Sequence, residues 1–421
     1  VKIAHLLKEH PDLILIDIGI AGFSTGTPIS EALIAEALDE VRKLYSFNER
    51  RIYWYGYCNN GSAVWSFCQN HPHWAAKTVT VESLPDLSRI RNLDYCKSLI
   101  YYLKSKDQKD INSLISKKNN RTIPIQSSTH NYMQFYQYRA ENFSDLNSVL
   151  PDYPENLQFS TVRMRFNRSF WITLHEIRRE KMRASVSASI VNTKTICVKL
   201  INCDDFSLEV PPQMDAVFKV IINGVSLVCE KQPVIRFVRE KKKFCISSEP
   251  ANENSKKGTG LLDVYYGPLR IVHDGSELAS DIAQKFAAPE TMSFSPKLQV
   301  KFPVYSALDC PLEAWDRNLI LINVDAVNGK SLNLPIQTSE DGYYQEGVFV
   351  KGYYCVLQRI SHPWNPLNSI LHIGSNNLAQ FKKHLFLRKI VLPSMLTGIS
   401  SYWNAQAVIL SRENMREIYE L

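Results

Sequence analysis

Three residues, Cys58, Asp107 and His130, have the types and the chain order of a nucleophile, an acid and a base. A cysteine thiolate attacks a carbonyl carbon when a neighbouring base or a helix N-terminus lowers the pKa of the thiol. The histidine then holds the proton, and the carboxylate behind it sets the histidine tautomer and offsets the imidazolium charge. Asp110 is the rival acid, because it lies in the same lysine-rich turn as Asp107. Together these residues predict acyl transfer through a thioester.

The segment Arg51–Trp65 (RIYWYGYCNNGSAVW) predicts how Cys58 is presented. A run of β-forming residues leads into the turn and helix-compatible residues follow it, which is the strand–turn–helix pattern of a nucleophile elbow. The neighbours of the apex must be small or must tolerate unusual dihedral angles. Gly56, Asn60 and Gly61 are the predicted elbow residues, and Asn60 is expected to accept a positive φ in place of a glycine.

The backbone N–H of Asn59 is predicted to donate to the oxyanion, because it lies at the start of the helix that follows Cys58. Each of the three side chains also has a structural interpretation. Cys58 between glycine and asparagine fits a buried structural thiol. His130 fits a surface loop, and an exposed ion pair with a neighbouring lysine explains Asp107 equally well. Only the joint order and placement of the three residues favours catalysis.

The three candidates each follow a predicted strand, which would bring them to one edge of a sheet. Strands and helices alternate through this part of the chain, a pattern that predicts a parallel sheet with helices on both faces. Open sheets of this kind place their sites at the C-terminal ends of the strands. The predicted strands are Leu13–Ile18, Ile52–Tyr55, Lys77–Val81, Leu99–Leu103 and Thr122–Ser127.

The remaining chain divides into two further predicted domains. Short alternating strands separated by turns begin near Asn156 and predict a β-sandwich. A polar linker, Glu249–Gly260, precedes a return of strand–helix alternation, which predicts a second, smaller α/β domain. The predicted domain bounds are 1–145, 156–248 and 258–421.

Composition excludes several classes of function. The chain has 421 residues and a formal net charge of +7, but its basic residues are dispersed, so nucleic acid is not a predicted partner. Neither a phosphate-binding loop nor a paired CxxC motif occurs, so we predict no metal and no cofactor. The nine cysteines are odd in number and irregularly spaced. They are expected to be mostly buried free thiols, with a pair such as Cys197 and Cys203 left open.

No apolar run is long enough to span a membrane, so no membrane span is predicted. The chain opens at Val1 inside a predicted helix and carries no targeting segment, so we expect it to be part of a longer protein. Free-thiol usage favours a reducing compartment. The sequence does not indicate an oligomeric state.

Residues 1 to about 140 resemble the α/β-hydrolase superfamily, and most closely the prolyl-oligopeptidase-like serine peptidases and esterases. Arg51–Gly61 (RIYWYGYCNNG) is similar to the elbow pattern RIYLxGYSxGG of that family. This chain has Cys58 where the family usually has serine, Asn60 where it has glycine, and Lys104-Ser105 where the acid turn often begins His-Gly. The upstream loop that supplies the second oxyanion donor would precede Val1. The resemblance implies an α/β-hydrolase-like parallel sheet, followed by the β-sandwich-like segment and the smaller α/β domain.

The predicted function is an acyl-transfer hydrolase, esterase or peptidase in class, with Cys58 as nucleophile. Its expected substrate is a small ester, a peptide or a carbohydrate-linked ester. The alternative hypothesis is a catalytically inactive hydrolase-fold protein that acts as a binding or scaffold module.

Overall fold

A computed structural model of the chain describes residues 13–16, 28–57, 59–103, 120–125, 147–179, 182–241, 243–248, 261, 264, 268–287, 302–365, 368–386, 407–411 and 415–418. Contacts group the chain into two compact units, one of residues 1–17 and 46–258 and the other of residues 18–45 and 259–421. Helix α1 (Pro28–Leu44) therefore belongs to the second unit, although it precedes the first strand of the other. The predicted bounds of three domains stay predictions.

The first unit begins with a four-stranded parallel sheet. Its strands are β1 (Tyr53–Tyr57), β2 (Lys77–Val81), β3 (Lys97–Leu103) and β4 (Asn120–Ile125), which lie side by side in chain order. Helix α2 (Asn59–Asn70) follows β1, and short 3-10 helices span Glu49–Arg51, Pro72–Trp74 and Leu87–Leu93. β2 alternates threonine and valine and is buried along its whole length, as β-branched residues in a central strand favour.

Two five-stranded sheets form the rest of the first unit. One has the order β12-β11-β9-β8-β5 and the other, which is antiparallel throughout, the order β14-β13-β10-β7-β6. Inward-facing residues of both sheets form one apolar cluster, in which Trp171, Phe206 and Phe237 are almost fully buried. The strands are β5 (Asn156–Thr161), β6 (Arg168–Ser169), β7 (Ile172–Leu174), β8 (Ala184–Asn192), β9 (Thr195–Ile201), β10 (Asp205–Glu209), β11 (Val217–Ile222), β12 (Val225–Glu230), β13 (Val234–Glu240) and β14 (Lys243–Ser247), and a 3-10 helix spans Met164–Phe166.

An ion pair across the antiparallel sheet gives a test of its stability. Arg236 Nε and Nη2 donate to the two carboxylate oxygens of Asp205 at 2.9 and 2.5 Å, and both side chains are about 15% exposed. Asp205→Ala would leave the guanidinium without this partner, and we expect a loss of about 2 kcal/mol of unfolding free energy. The measurements are the thermal midpoint and the hydrogen exchange of the β10 and β13 amides.

The adjacent Asp204 is the matched control. Its ion pairs with Arg178 and Arg239 are 3.8 and 3.2 Å long and involve more exposed arginines. Asp204→Ala is expected to cost about 0.5 kcal/mol, as exposed pairs usually do. Equal destabilisation by the two substitutions would contradict the role given to the Asp205 pair.

The second unit is built on a seven-stranded mixed sheet of order β16-β15-β17-β24-β23-β25-β26. The first four of these strands are parallel, and the last three pair antiparallel. Two small antiparallel sheets accompany it, of order β18-β19 and β20-β21-β22. The elements are β15 (Leu269–His273), α3 (Glu277–Ala287), β16 (Val304–Ser306), α4 (Leu312–Trp315), β17 (Asn318–Ile322), β18 (Ala326–Val327), β19 (Lys330–Ser331), β20 (Ile336–Thr338), β21 (Gly342–Gln345), β22 (Val348–Lys351), β23 (Tyr353–Ser361), β24 (Ser369–Gly374), α5 (Leu378–Phe386), β25 (Ala407–Ser411) and β26 (Met415–Ile418).

Helix α1 is attached to this unit by partly buried charge pairs. Arg270 on β15 donates from Nη1 and Nη2 to the two carboxylate oxygens of Glu36 at 3.1 and 2.8 Å. Arg317 Nη2 lies 3.0 Å from Asp39 Oδ2 one turn further along the helix. The two arginines thus bind the acidic side chains of α1, although each arginine is more than 230 residues away in the chain from its partner.

The predicted fold class, an α/β-hydrolase-like parallel sheet with a β-sandwich-like segment and a smaller α/β domain, is wrong. The chain is rich in strands, and its described strands form six separate sheets, of which several are mixed or antiparallel. Among the described strands, only β1 to β4 belong to the sheet that ends before Cys58. Residue patterns predict that a segment is extended, but strand partners are chosen by contacts between distant segments.

Candidate active site

A strand ends directly before Cys58 and a helix begins directly after it. β1 ends at Tyr57 and α2 begins at Asn59, so Cys58 alone separates the two elements in the chain. Cys58 lies outside the described residues, and so does the side chain of Asn59. The structure therefore describes the frame that holds the predicted nucleophile.

Two glycines bring the parts of this frame into close contact. A Cβ on Gly56 would lie 2.6 Å from Cα of Gly61 and 2.9 Å from the carbonyl oxygen of Asn60. A Cβ on Gly61 would lie 2.6 Å from Cβ of Ser83, which follows β2. Side-chain carbons do not approach other heavy atoms so closely, so glycine is required at both positions. The predicted elbow residues Gly56 and Gly61 thus pack against each other.

Asn60 has a different conformation from the one expected. It is the second residue of α2, and it is not among the described non-glycine residues that have a positive φ. The expectation that Asn60 replaces a glycine in the left-handed region is therefore wrong.

Buried aromatic packing fixes the direction of β1. Trp54, on the same face of the strand as Gly56, donates from its indole N–H to the carbonyl of Trp74 at 2.7 Å and packs against Phe67 of α2. Tyr57, on the other face, packs against the apolar cluster that contains Val79. Both faces of β1 are thus held directly before Cys58.

The start of α2 favours an anion at the preceding residue. The helix is 12 residues long, and its first turn contains no acidic and no basic side chain. The N–H groups of the first turn have no partners within the helix, and the helix dipole places partial positive charge there. A thiolate before α2 would be stabilised by this field. Asn59 is the first residue of α2, and its role as oxyanion donor stays a prediction.

The segment after β2 is part of the same edge, and the sequence analysis missed it. β1 and β2 are parallel with Tyr57 opposite Val81, so Glu82 follows β2 where Cys58 follows β1. Glu82 has a φ of +57°, a conformation that non-glycine residues rarely adopt. Ser83 Oγ lies 2.9 Å from Ser62 Oγ of α2. The signal was available in the sequence, because Glu82 and Ser83 directly follow a strongly predicted strand.

Asp107, Asp110 and His130 lie outside the described residues. The strands that precede them are described: β3 ends at Leu103 and β4 at Ile125, and these two residues are paired. Because all four strands are parallel, their carboxyl ends lie at the same edge of the sheet. The structure thus places β1, β3 and β4, the strands that precede the three predicted residues, in one sheet. It does not describe the acid or the base.

All eight cysteines that the structure describes are free, including Cys197 and Cys203, which were left open as a pair. Burial raises the pKa of Cys96 to about 11 and that of Cys203 to about 12. Cys310 is half-buried, and its thiol pKa is raised to about 11 by burial and by the nearby Glu313 carboxylate. The prediction of mostly buried free thiols is confirmed for these eight residues, since Cys68, Cys96, Cys203, Cys229 and Cys355 are buried.

Within the described ranges, no group of three or more histidine, cysteine, aspartate or glutamate side chains has the geometry of a metal site. A helix long and apolar enough to cross a membrane is likewise not found among the described residues.

No known family model matches the chain, and it has no match among curated proteins.

Proposed function

We propose that this protein is a thiol-dependent acyl-transfer hydrolase that cleaves an ester or an amide through Cys58. The observation that supports this most is the tight frame around the residue: one residue separates β1 from α2, and Gly56 and Gly61 pack at a distance that excludes any side chain. In general, a nucleophile on a tight turn between a strand and a helix is exposed, and the helix N-terminus stabilises its anion.

The proposed reaction has two steps. His130 removes the proton from Cys58 Sγ, the thiolate attacks the carbonyl carbon, and the tetrahedral oxyanion accepts a hydrogen bond from the Asn59 N–H. The collapse of this intermediate breaks the bond to the alcohol or amine, which takes the proton from His130 and leaves an acyl-thioenzyme. Water then attacks the thioester with His130 as base, which releases the acid and restores the thiol.

The chain lengths between the strands and the predicted residues allow this arrangement. β4 is three strands from β1, about 14 Å at the usual strand spacing of about 4.8 Å. His130 is five residues beyond Ile125, and five extended residues span up to about 17 Å. Asp107 is four residues beyond Leu103, which spans up to about 13 Å and exceeds the two-strand distance of about 10 Å. Asp110 is the alternative acid by the same measure.

The substrate class follows from the chemistry of the proposed Cys58 thiolate. A thioester intermediate forms from esters and from amides, so small esters, peptides and carbohydrate-linked esters are the candidates. The resemblance of Arg51–Gly61 to prolyl-oligopeptidase-like peptidases and esterases supports the same classes, and this relationship stays a prediction.

The experiment is a pH-resolved alkylation of the full chain with iodoacetamide, with each cysteine followed by peptide mass spectrometry. Cys58 is expected to react at a rate that persists below pH 7, because its thiolate is stabilised by the helix N-terminus and by His130. His130→Ala is expected to slow this reaction at pH 6.5 by about tenfold or more. Cys58 is expected to be the only cysteine whose alkylation rate falls in the His130→Ala variant.

Cys310 is the internal control, because its raised pKa of about 11 leaves only about 0.01% thiolate at pH 7. If Cys58 reacts only near the free-thiol pKa of about 8.5 and is indifferent to His130→Ala, the catalytic proposal fails. The binding or scaffold hypothesis would then replace it.

A further inference from the structure

The second unit contains a cleft of about 500 Å³ at the carboxyl ends of its parallel strands. The segments after β15 and β17 both line it, through Asp274 and through Asn323–Asp325. From β15 the chain crosses to β16 on one side, and from β17 it continues to β24 on the other. The cleft is thus at the point where the strand order reverses, which is where open parallel sheets bind their ligands.

One carboxylate in the cleft is held by a chain of buried side chains. Asp325 is 69% exposed, and its Oδ1 lies 2.8 Å from Nε2 of His372, a residue with no exposed side-chain surface. Nδ1 of His372 lies 3.3 Å from the amide nitrogen of Gln358. That amide donates to the Ile336 carbonyl and accepts from the Ile336 N–H at 2.8 and 3.0 Å, which fixes its orientation.

The hydrogen bonds of this chain determine what Asp325 offers to a ligand. Since the Gln358 nitrogen is the donor to His372 Nδ1, the proton of the imidazole is on Nε2 and is donated to Asp325. The hydrogen bond from His372, opposed by partial burial, lowers the pKa of the Asp325 carboxyl. Asp325 is therefore an oriented carboxylate whose remaining acceptor sites are available in the cleft.

The other groups of the cleft add acceptors and apolar surface. Asp274 is a second carboxylate, and no described lysine or arginine pairs with it or with Asp325. Lys330 directly follows the lining residues Asn328 and Gly329 in sequence, and its ammonium lies over the ring of Trp364. The apolar wall is formed by Leu308, Leu312 and Trp315, and the two leucines are 93% and 70% exposed.

An anion does not fit this cleft. Helix α3 begins beside Asp274, but the N–H groups at its start are already used by side chains. The Gly275, Ser276 and Ala279 N–H groups donate to His273 Nδ1, Asp274 Oδ1 and Ser276 Oγ at 3.1, 2.8 and 3.3 Å. A metal ion is not favoured either, since three clustered ligand side chains do not occur among the described residues.

We infer that the cleft binds an organic cation, a primary ammonium group on an apolar stem, with Asp325 as its charged partner. The ammonium would donate to Asp325 and Asp274, and the stem would cover the exposed leucines of the wall. Free alkylamines and lysine side chains share this chemistry. The inference is independent of the acyl-transfer proposal, because all of its residues belong to the second unit.

The test is isothermal titration of the full chain with n-hexylamine and with the neutral n-hexanol. Hexylamine is expected to bind at least about tenfold more tightly than hexanol. Asp325→Asn, which keeps an oxygen for His372, should weaken hexylamine binding by about tenfold or more and leave hexanol binding unchanged. Asp341→Asn, an exposed aspartate of the same unit outside the cleft, should change neither.

Equal binding of the two probes, no binding of hexylamine to the wild-type chain, or equal effects of Asp325→Asn and Asp341→Asn would overturn the inference. If circular dichroism shows that Asp325→Asn is misfolded, Asp274→Asn carries the same expectation, because its amide oxygen still accepts from Ser276. A short peptide with one internal lysine separates the two sources: binding equal to that of hexylamine indicates lysine side chains, and weaker binding indicates a free amine.

Discussion

Cys58→Ala is expected to reduce the hydrolysis of p-nitrophenyl acetate by the full chain by at least about 10³-fold. The acyl-thioenzyme cannot form without Sγ, and removal of a covalent nucleophile usually costs this much or more. The measurement is the initial rate of p-nitrophenolate release at pH 7. A mass-spectrometric acetyl adduct on the peptide that contains Cys58, present in the wild type only, would place the intermediate.

The matched control for this substitution is Cys310→Ala. Cys310 is half-buried and in the other unit, and burial together with Glu313 raises its thiol pKa to about 11. Its removal is expected to leave the rate unchanged. If Cys58→Ala retains the wild-type rate to within about twofold, hydrolysis does not pass through this residue.

Gly56→Ala is expected to destabilise the first unit by about 3 kcal/mol. The added Cβ would lie 2.6 Å from Cα of Gly61 and 2.9 Å from two further backbone atoms of the first turn of α2. Backbone atoms cannot rotate away as a flexible side chain can, so α2 must move relative to β1. The measurements are the thermal midpoint and the hydrogen exchange of the β1 and α2 amides.

Gly224→Ala is the control for adding a methyl group. A Cβ at Gly224, in the same unit, meets no atom within 4 Å, and the only strain is its φ of +88°. A loss of about 1 kcal/mol is expected there. If Gly56→Ala costs no more than Gly224→Ala, the close contact between β1 and α2 is not a constraint on the fold. If Gly56→Ala does move α2 relative to β1, it should also lower the rate at which Cys58 is alkylated.

Several elements were predictable because their signals are local. Strand β2 was predicted as Lys77–Val81 and has these bounds, since alternating threonine and valine favour an extended backbone whatever their partners. The strand before Cys58 and the helix after it were likewise predictable, because β-forming residues precede Cys58 and helix-compatible residues follow it.

Other local predictions failed where a single residue changed the path of the chain. Within the predicted C-terminal α/β domain, the residue pattern predicts a single strand over Val348–Gln358, but the structure has β22 up to Lys351 and β23 from Tyr353. Gly352 between them has a φ of +97°, which interrupts an extended strand. A glycine in a strand pattern is compatible with a bulge, a bend or no break, and the sequence alone does not distinguish these cases.

The sequence by itself determined the extended or helical character of segments such as β2 and α2, that the thiols are mostly buried and free, and that Cys58 separates β1 from α2. Tertiary structure alone decided how these segments pair: that the sheets are several and mixed, that α1 joins β15 through Arg270 and Glu36, and that His372 meets Asp325. The physical reason is the range of the forces. Backbone preferences act within a few residues, whereas strand pairing, ion pairs and clefts depend on contacts between residues that are tens to hundreds of positions apart.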